Sequence, residues 1–202
     1  KVLSATGKSL FKQIQSITSP ADTLIHFEKL LKNVQPWSAE SPYLYTLVIN
    51  TTDRNGRVEE SVAQPFGFPT VEMKNGQLLV NGVAITIKGV NRQEHNAVHG
   101  RTLSIGEMVK DVKMMKQFNI NAVRTSHYPN YSEWYQLCDK YGLYMVGEAN
   151  IECHGILDTE YKQLADREDW YPAFHDRMYR MIKRDRNHTA IIIWSMGNES
   201  GY

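Results

Sequence analysis

The chain has 202 residues, enough for one medium domain or for a small domain and part of a larger one. Lys and Arg number 23 against 22 Asp and Glu, so the charge balance gives no indication of a nucleic-acid or membrane-surface partner. No segment contains the roughly 20 consecutive apolar residues of a membrane-spanning helix. The two cysteines, Cys138 and Cys153, form no CxxC pair, which argues against zinc-ribbon and thioredoxin-type sites.

Residues 1–67 have the composition and spacing of β structure. Four segments are expected to form strands: residues 10–17, 22–27, 43–51 and 58–62. Between the last two, the turn Asp53-Arg54-Asn55-Gly56 ends in Asn-Gly, the strongest short-range signal for a hairpin. Since a sandwich usually has about seven strands, the sequence predicts part of a β-sandwich in this region.

Residues 68–202 change to an alternation of strands and helices. After a hairpin around Lys74-Asn75-Gly76, strands are expected at residues 85–90, 121–125, 143–146 and 191–194, and helices at residues 104–118, 132–141 and 170–184. Such alternation predicts parallel strands with right-handed crossovers. Two architectures fit, a (β/α)8 barrel and an open doubly wound sheet. No GxGxxG follows the first strand, which disfavours a dinucleotide-binding sheet.

Polar and ionisable residues recur just after each predicted strand of this second region. The four clusters are residues 91–95, Ser126-His127, residues 148–154 and Asn198-Glu199. In a barrel all strand carboxyl ends open at one mouth, so the clusters converge there, whereas an open sheet spreads them along an edge. This pattern favours the barrel.

Glu199 is the strongest candidate for a general acid/base. It follows an apolar run, IIIWSMG, that indicates a buried strand, and partial desolvation there raises the pKa of a carboxyl group. Such a group both donates and accepts protons near neutral pH. Asn198 is placed to hydrogen-bond a substrate hydroxyl. The alternative is a surface Asn-Glu turn, which the preceding apolar run disfavours.

Other polar residues have both a functional and a structural interpretation. Glu152 and His154, near a third carboxylate, suit an octahedral ion such as Mg²⁺, but their spacing alone favours a loop bonded by its own polar groups. His127, at a strand end, is placed to bond a hydroxyl or a carboxylate. Arg124 either holds a carboxylate in the mouth through two parallel hydrogen bonds or forms a structural Arg–Glu pair beneath it. The residues support both alternatives for Arg124 equally.

Six motifs, in order and at near-constant spacing, resemble glycoside hydrolase family 2, and above all its bacterial β-galactosidase branch. They are GVNR at 89–92, RTSHYPN at 124–130, YGLY at 141–144, EANIECHG at 148–155, RDRNH at 184–188 and WSMGNESG at 194–201. A further segment, PWSAESPYLY at 36–45, is similar to the end of the immunoglobulin-like domain of that family. The resemblance extends from about residue 34 to residue 202.

The resemblance implies a (β/α)8 catalytic barrel and a retaining double displacement that uses two glutamates. By position it makes Glu199 the acid/base and assigns Glu152, His154 and Glu199 to an active-site Mg²⁺. It makes His127 and Asn198 contacts to the hydroxyls of a β-galactoside. It also allows for a Na⁺ ion and a homo-oligomer in the parent protein, and leaves the compartment open between cytoplasm and periplasm.

Two departures from the family pattern matter. Gln93 stands where a sugar-contacting histidine is usual, and it can donate a hydrogen bond but carries no charge. The family's nucleophile lies at the end of the seventh strand, whereas the fourth predicted strand here ends just before Glu199. We therefore expect the isolated 202-residue chain not to hydrolyse glycosides.

The sequence thus predicts an α/β chain in two parts. Residues 1–67 are a partial immunoglobulin-like β-sandwich, and residues 68–202 are the N-terminal half of a (β/α)8 TIM barrel, through strand four. The expected parent is a retaining β-galactosidase acting on terminal β-D-galactosides, with no nucleic-acid or membrane partner. The alternatives are a β-glucuronidase or β-mannosidase of the same family, against which the Glu152-x-His154 pair argues, and a non-catalytic carbohydrate-binding module.

Overall fold

The computed structural model describes residues 1–17, 24–156 and 164–200. The N-terminal region forms one antiparallel sheet of order β2-β1-β3-β4, with strands β1 (Val2–Leu3), β2 (Ser9–Phe11), β3 (Tyr45–Thr52) and β4 (Val58–Phe66). The predicted turn between β3 and β4 is confirmed: the Asp53 carboxylate accepts from the backbone N–H of Asn55 at 2.9 Å and of Arg57 at 2.8 Å. The described residues of this region form this one sheet, which corresponds to one layer of the predicted sandwich.

The two earlier strand predictions were mostly wrong. Of residues 10–17 only the beginning belongs to a strand, and residues 24–27 form none; residues 22 and 23 lie outside the described residues. Ile14 and Ile17 are exposed, and no neighbouring strand pairs with this described segment. The apolar residues of this segment have no pairing partner among the described strands, and sheet stability comes from cross-strand contacts. The two-residue strand β1 is too short for any periodicity to reveal.

A three-stranded antiparallel sheet follows, of order β5-β6-β7, with strands β5 (Val71–Lys74), β6 (Gln77–Val80) and β7 (Val83–Ala84). The predicted hairpin around Asn75-Gly76 is confirmed, with Lys74 opposite Gln77. The third strand was not predicted.

The remaining strands form a parallel sheet whose order settles the architecture. It contains β8 (Gly89–Arg92), β9 (Ala122–Thr125), β10 (Tyr144–Glu148) and β11 (Ile191–Ser195), joined by helices α1 (Ile105–Gln117), α2 (Ser132–Tyr141) and α3 (Tyr171–Asp185). Each strand pairs with its successor in the chain, giving the order β11-β10-β9-β8. A doubly wound sheet reverses its strand order, whereas a (β/α)8 barrel adds strands in sequence. The barrel prediction is confirmed, although β8 starts four residues later than expected.

The predicted helix at residues 104–118 is confirmed as α1, which begins at a capping box formed by Ser104 and Glu107. Ser104 Oγ accepts from the backbone N–H of Glu107 at 3.3 Å, and the Glu107 carboxylate accepts from the backbone N–H of Ser104 at 2.8 Å. The backbone and side-chain hydrogen bonds from Ser104 lower the pKa of Glu107. Among the described residues between β10 and α3 there are three short 3₁₀ turns, His154–Ile156, Leu164–Asp166 and Glu168–Trp170.

Helix α2 ends at Gly142, which has φ +77°. A Cβ atom at this position would lie 2.3 Å from the carbonyl oxygen of Ala39. Glycine is therefore needed twice, for the left-handed cap and for the close approach of the N-terminal region.

The core under the parallel sheet includes a residue of the N-terminal region. Trp37 is fully buried, its Nε1–H donates to the backbone oxygen of Asp139 at 2.8 Å, and its ring packs edge-on against Tyr144 at 5.9 Å. Lys116 Nζ donates to the backbone oxygens of Ala39 and Gly142 at 3.0 and 2.9 Å. The segment around Trp37 thus packs near the start of β10, at the end of the sheet opposite the predicted site. No helix in the described ranges is long and apolar enough to cross a membrane.

Candidate active site

The candidate site lies at the carboxyl ends of strands β9, β10 and β11. Arg124 is the penultimate residue of β9, Glu148 is the last residue of β10, and Asn198 and Glu199 follow β11. Because the strands are parallel and adjacent, their carboxyl ends open on the same side of the sheet. The predicted convergence of three of the four polar clusters is therefore present.

The carboxylate of Glu148 is the centre of a hydrogen-bond network. Arg124 donates from Nε to Oε2 at 2.5 Å and from Nη2 to Oε1 at 2.9 Å. His127 Nδ1 lies 2.8 Å from Oε1, and Ser195 Oγ donates to Oε2 at 2.8 Å. Of the two alternatives for Arg124, the structure shows the Arg–Glu pair beneath the mouth.

Glu148 is fully buried, yet its surroundings favour the ionised form. Burial by itself raises the pKa of the carboxyl group. The hydrogen bonds from Arg124, His127 and Ser195, together with the Arg124 charge, outweigh this effect and hold the pKa below its usual value. The site thus has a fixed negative charge at its floor, and this charge is compensated by donors on β9, β11 and the loop after β9.

Asn198 is oriented by two neighbours. Arg124 Nη2 donates to its Oδ1 at 2.9 Å, and its own Nδ2 donates to Glu152 Oε1 at 3.1 Å. Asn198 therefore connects the network of Glu148 to the loop that carries the predicted metal ligands.

The turn that carries Glu199 is tied to the loop after β10. Asn198 N–H donates to the carbonyl oxygen of Ile151 at 2.9 Å, and Cys153 N–H donates to that of Glu199 at 3.3 Å. A Cβ atom at Gly197, whose φ is +150°, would lie 2.3 Å from the Ile151 oxygen, so only glycine allows this approach. The Glu199 carboxylate consequently meets the His154 ring at Nδ1.

The environment of Glu199 differs from the expected one. Its side chain is 52% exposed, so the burial that the sequence argument assumed is not found. The reason is that β11 is an edge strand of the described sheet, and its residues are only partly buried. An apolar run predicts a strand, but it does not reveal how many neighbours the strand has.

The three predicted metal ligands are neighbours but are not assembled into a site. Glu199 contacts His154, while Glu152 bonds Asn198. Within residues 1–17, 24–156 and 164–200, no three His, Cys, Asp or Glu side chains are grouped closely enough to hold a metal ion. The donor types, two carboxylates and an imidazole, remain compatible with a divalent cation.

Gln93 follows β8 directly and is exposed. No hydrogen bond among the described residues connects it to His127 or Glu199. Its neighbour Glu94 is buried: the Glu94 backbone N–H donates to Tyr128 Oη at 2.9 Å, and Oε1 accepts from the Tyr131 N–H at 3.0 Å. The cluster after β8 thus contacts the loop that follows β9, but not the Glu148 network.

Sequence reasoning included Glu148 in a polar cluster and gave it no role in the site. One signal was present: an ionisable residue ends the otherwise apolar strand β10, and an arginine lies inside the neighbouring strand. The pairing of Val146 with Arg124 and of Glu148 with Ser195 shows how the parallel register brings the donors to one carboxylate.

Comparison with known proteins agrees with this geometry. The family model described as "Glycosyl hydrolases family 2, TIM barrel domain" matches residues 71–202, and a second model described as "Glycosyl hydrolases family 2" matches residues 2–68. The chain belongs to glycosyl hydrolase family 2. The alternation of strands and helices and the sequential strand order therefore belong to a TIM barrel domain of this family.

Among relatives, the chain is 50% identical over 182 residues to a β-galactosidase of Psychromonas ingrahamii, and 52% identical over 166 residues to one of Pectobacterium atrosepticum. These alignments cover 90% and 82% of this chain but only 17% and 16% of the relatives, so the chain spans a small part of their length.

Two solved family 2 structures are similar in fold. A β-glucuronidase from Ruminococcus gnavus in complex with D-glucuronic acid has a TM-score of 0.70 and 30% identity, covering 82% of this chain and 27% of that chain. Bacteroides uniformis β-glucuronidase 3 has a TM-score of 0.77 and 28% identity, covering 98% and 23%.

Proposed function

We propose that this chain is part of a retaining β-galactosidase that hydrolyses terminal β-D-galactosides, with Glu199 as the acid/base. The observation that carries the proposal is the position of Glu199 at the carboxyl end of β11, beside Asn198, which Arg124 holds in place. Sequence identities of 50% and 52% to β-galactosidases favour this activity within the family.

In the proposed reaction Glu199 acts twice. Its protonated carboxyl group gives a proton to the glycosidic oxygen as the bond to the sugar breaks, and its carboxylate then takes a proton from the attacking water. A retaining site also needs a nucleophilic carboxylate about 5–5.5 Å away. The family pattern assigns that group to the seventh strand of the barrel, and neither Glu148 nor Glu152 is proposed as a substitute.

His127 and Asn198 are proposed to bind hydroxyl groups of the sugar. Since Nδ1 of His127 faces the Glu148 carboxylate, its Nε2 remains for a substrate hydroxyl. Asn198 is held at Oδ1 by Arg124, which limits its rotation before substrate binds. Gln93, exposed after β8, is proposed to donate a neutral hydrogen bond where a histidine is usual in the family.

Magnesium binding by Glu152, His154 and Glu199 is a separate proposal. It is supported by the donor types and by the contact between His154 and Glu199, and no step of the reaction above depends on it. Isothermal titration of the metal-stripped full-length protein with MgCl₂ tests it. We expect saturable binding that Glu152→Gln weakens, and equal binding by the two proteins contradicts the assignment.

Residues 1–67 are proposed to belong to an immunoglobulin-like sandwich. The antiparallel β2-β1-β3-β4 sheet supports this as one of the two layers that such a domain needs.

A second candidate activity is that of a β-glucuronidase, which the two similar solved structures favour. The experiment is a comparison of kcat/KM for p-nitrophenyl β-D-galactoside and p-nitrophenyl β-D-glucuronide, using the full-length protein that contains this chain. We expect kcat/KM to be at least about 100-fold higher for the galactoside. In a site that binds a neutral sugar hydroxyl, the carboxylate of the glucuronide would be buried without a partner of opposite charge. A preference for the glucuronide overturns the proposal.

A further inference from the structure

Glu148 is the most completely enclosed carboxylate of the candidate site. It is 0% exposed, and its two oxygens accept hydrogen bonds from Arg124, His127 and Ser195. Its own backbone N–H donates to Thr125 Oγ1 at 2.9 Å. The side chain is therefore held from both neighbouring strands, and no part of it is exposed to a substrate in the mouth.

The contacts of Glu148 restrict the groups that do reach the mouth. The two parallel hydrogen bonds with Arg124 fix the plane of the guanidinium group, and from that plane Nη2 reaches Asn198 Oδ1 at 2.9 Å. The hydrogen bond to His127 requires a proton on Nδ1, because an ionised carboxylate only accepts. One carboxylate thus sets the orientation of two proposed sugar-binding side chains and the tautomer of one of them.

We propose that Glu148 is a positioning residue of the glycosidase reaction, acting on the sugar only through His127 and through Arg124 to Asn198. This inference rests on the proposed function, since it requires those two side chains to bind the substrate. It assigns Glu148 neither a proton-transfer step nor a bond to the sugar.

The chain contains a matched control for the loss of a buried carboxylate. Asp139 is 1% exposed and accepts from His188 Nδ1 and from the backbone N–H of Ala190, both at 2.7 Å. Ala190 directly precedes β11, so Asp139 lies at the opposite end of the same sheet from Glu148. An amide in place of either carboxyl group changes a buried, hydrogen-bonded side chain, but of the two only Glu148 contacts His127 and, through Arg124, orients Asn198.

The experiment compares Glu148→Gln, Glu148→Asp and Asp139→Asn in the full-length protein, with kcat, KM and melting temperature measured for each. We expect Glu148→Gln to lower kcat by about 100-fold with a smaller change in KM, because misplaced groups lose more contact with the transition state than with the substrate. Glu148→Asp keeps the charge and is expected to recover part of this loss. Asp139→Asn is expected to lower the melting temperature but to leave kcat per folded molecule within about twofold.

A double-mutant cycle separates positioning from general stability. If Glu148 acts through His127, the loss in kcat/KM for Glu148→Gln combined with His127→Ala is smaller than the product of the two single losses. Equal kcat for wild type and Glu148→Gln, or losses that multiply fully, overturn the inference. If Glu148→Gln fails to fold, Glu148→Asp takes its place in the same cycle with His127→Ala, and the same comparison of losses in kcat/KM tests the inference. A wild-type protein without turnover of β-galactosides instead overturns the proposed function.

Discussion

Two carboxylates near the mouth of the site lie in opposite surroundings. Glu148 is fully buried and bonded to three side-chain donors, whereas the side chain of Glu199 is 52% exposed and contacts His154. Donors on both oxygens hold the Glu148 carboxylate ionised and in one orientation, which agrees with a positioning role for this residue. The proton-transfer role proposed for Glu199 rests on its position after β11 and not on its surroundings.

Glu148 is also expected to contribute to the acid sensitivity of the fold. Its pKa in the folded chain lies below the ordinary value of 4.5, so its stabilising contribution is present above that value and is lost as the pH falls through the lower folded-state value. The difference in melting temperature between wild type and Glu148→Gln should be largest near neutral pH and should shrink below pH 4.5. Melting curves from pH 7 to pH 3 measure it. A difference that grows on acidification contradicts the prediction, and Glu168→Gln, at an exposed position, serves as the control.

At the scale of the elements, the end of α2 is where the helix contacts the N-terminal region, because Gly142 lies against Ala39. Gly142→Ala would place a Cβ atom 2.3 Å from the Ala39 oxygen at a φ of +77°, so both the backbone conformation and the contact become unfavourable. We expect a loss of roughly 2–5 kcal/mol in the free energy of unfolding.

Gly76 provides the control for that substitution. It has φ +73°, and a Cβ atom there would meet nothing within 4 Å. Gly76→Ala should therefore cost only about 1–2 kcal/mol, the part due to the backbone alone. Urea unfolding of both variants measures the difference, and equal losses would show that the contact with Ala39 does not matter.

The elements that could be located from the sequence are those with a regular apolar spacing or with residues that mark the beginning or end of a helix. Helix α1 has the capping box of Ser104 and Glu107, and α2 has Gly142 after its last turn. The two-residue strands β1 and β7 have too few residues for a pattern, and residues 12–17 contain the apolar residues Ile14 and Ile17 but have no strand partner in the described sheet.

The network around Glu148 was out of reach for a different reason. Arg124 and Ser195 lie 24 and 47 residues from Glu148 along the chain and meet it only through the register of three parallel strands. Residue types and spacing do not specify that register. The half-exposed state of Glu199 was likewise hidden, because composition does not specify that β11 has only one neighbour, β10, among the described strands.

At the scale of the whole molecule, the N-terminal region contributes to the core of the barrel domain. Trp37 is fully buried among barrel residues, and Gly67 N–H donates to Thr189 Oγ1 at 2.6 Å. The two regions therefore share one hydrophobic core, which the N-terminal region joins near the amino ends of the strands, while the candidate site occupies the carboxyl ends. Stability and chemistry are thus separated along the strand direction, as is usual in (β/α)8 barrels.

Trp37 tests this separation. We expect Trp37→Ala to lower the free energy of unfolding by about 3–5 kcal/mol, because a large side chain leaves a cavity in the shared core. Trp37→Phe keeps an aromatic ring but loses the bond to the Asp139 oxygen and part of the ring volume, so its cost should be smaller, about 1–3 kcal/mol. Calorimetric unfolding of the full-length protein measures the stability loss of each variant, and kcat per folded molecule measures its activity. A large fall in kcat with little loss of stability would contradict the account.

The 202-residue chain on its own is expected to show no hydrolysis of a fluorogenic β-galactoside. Retention requires two carboxylates about 5–5.5 Å apart, and the family pattern assigns the second to a strand beyond β11. Turnover by the purified chain, with trapping of a covalent glycosyl intermediate, would contradict this expectation.

The most direct test of the account is the dependence of Glu199→Gln on the leaving group, measured in the full-length protein. Without a proton donor, kcat/KM for lactose, whose leaving group needs protonation, should fall by about 10²- to 10⁴-fold. For p-nitrophenyl β-D-galactoside the formation of the glycosyl intermediate should fall far less, because nitrophenolate leaves without a proton. Equal losses on the two substrates, or no loss on lactose, would contradict the assignment of Glu199 as the acid/base.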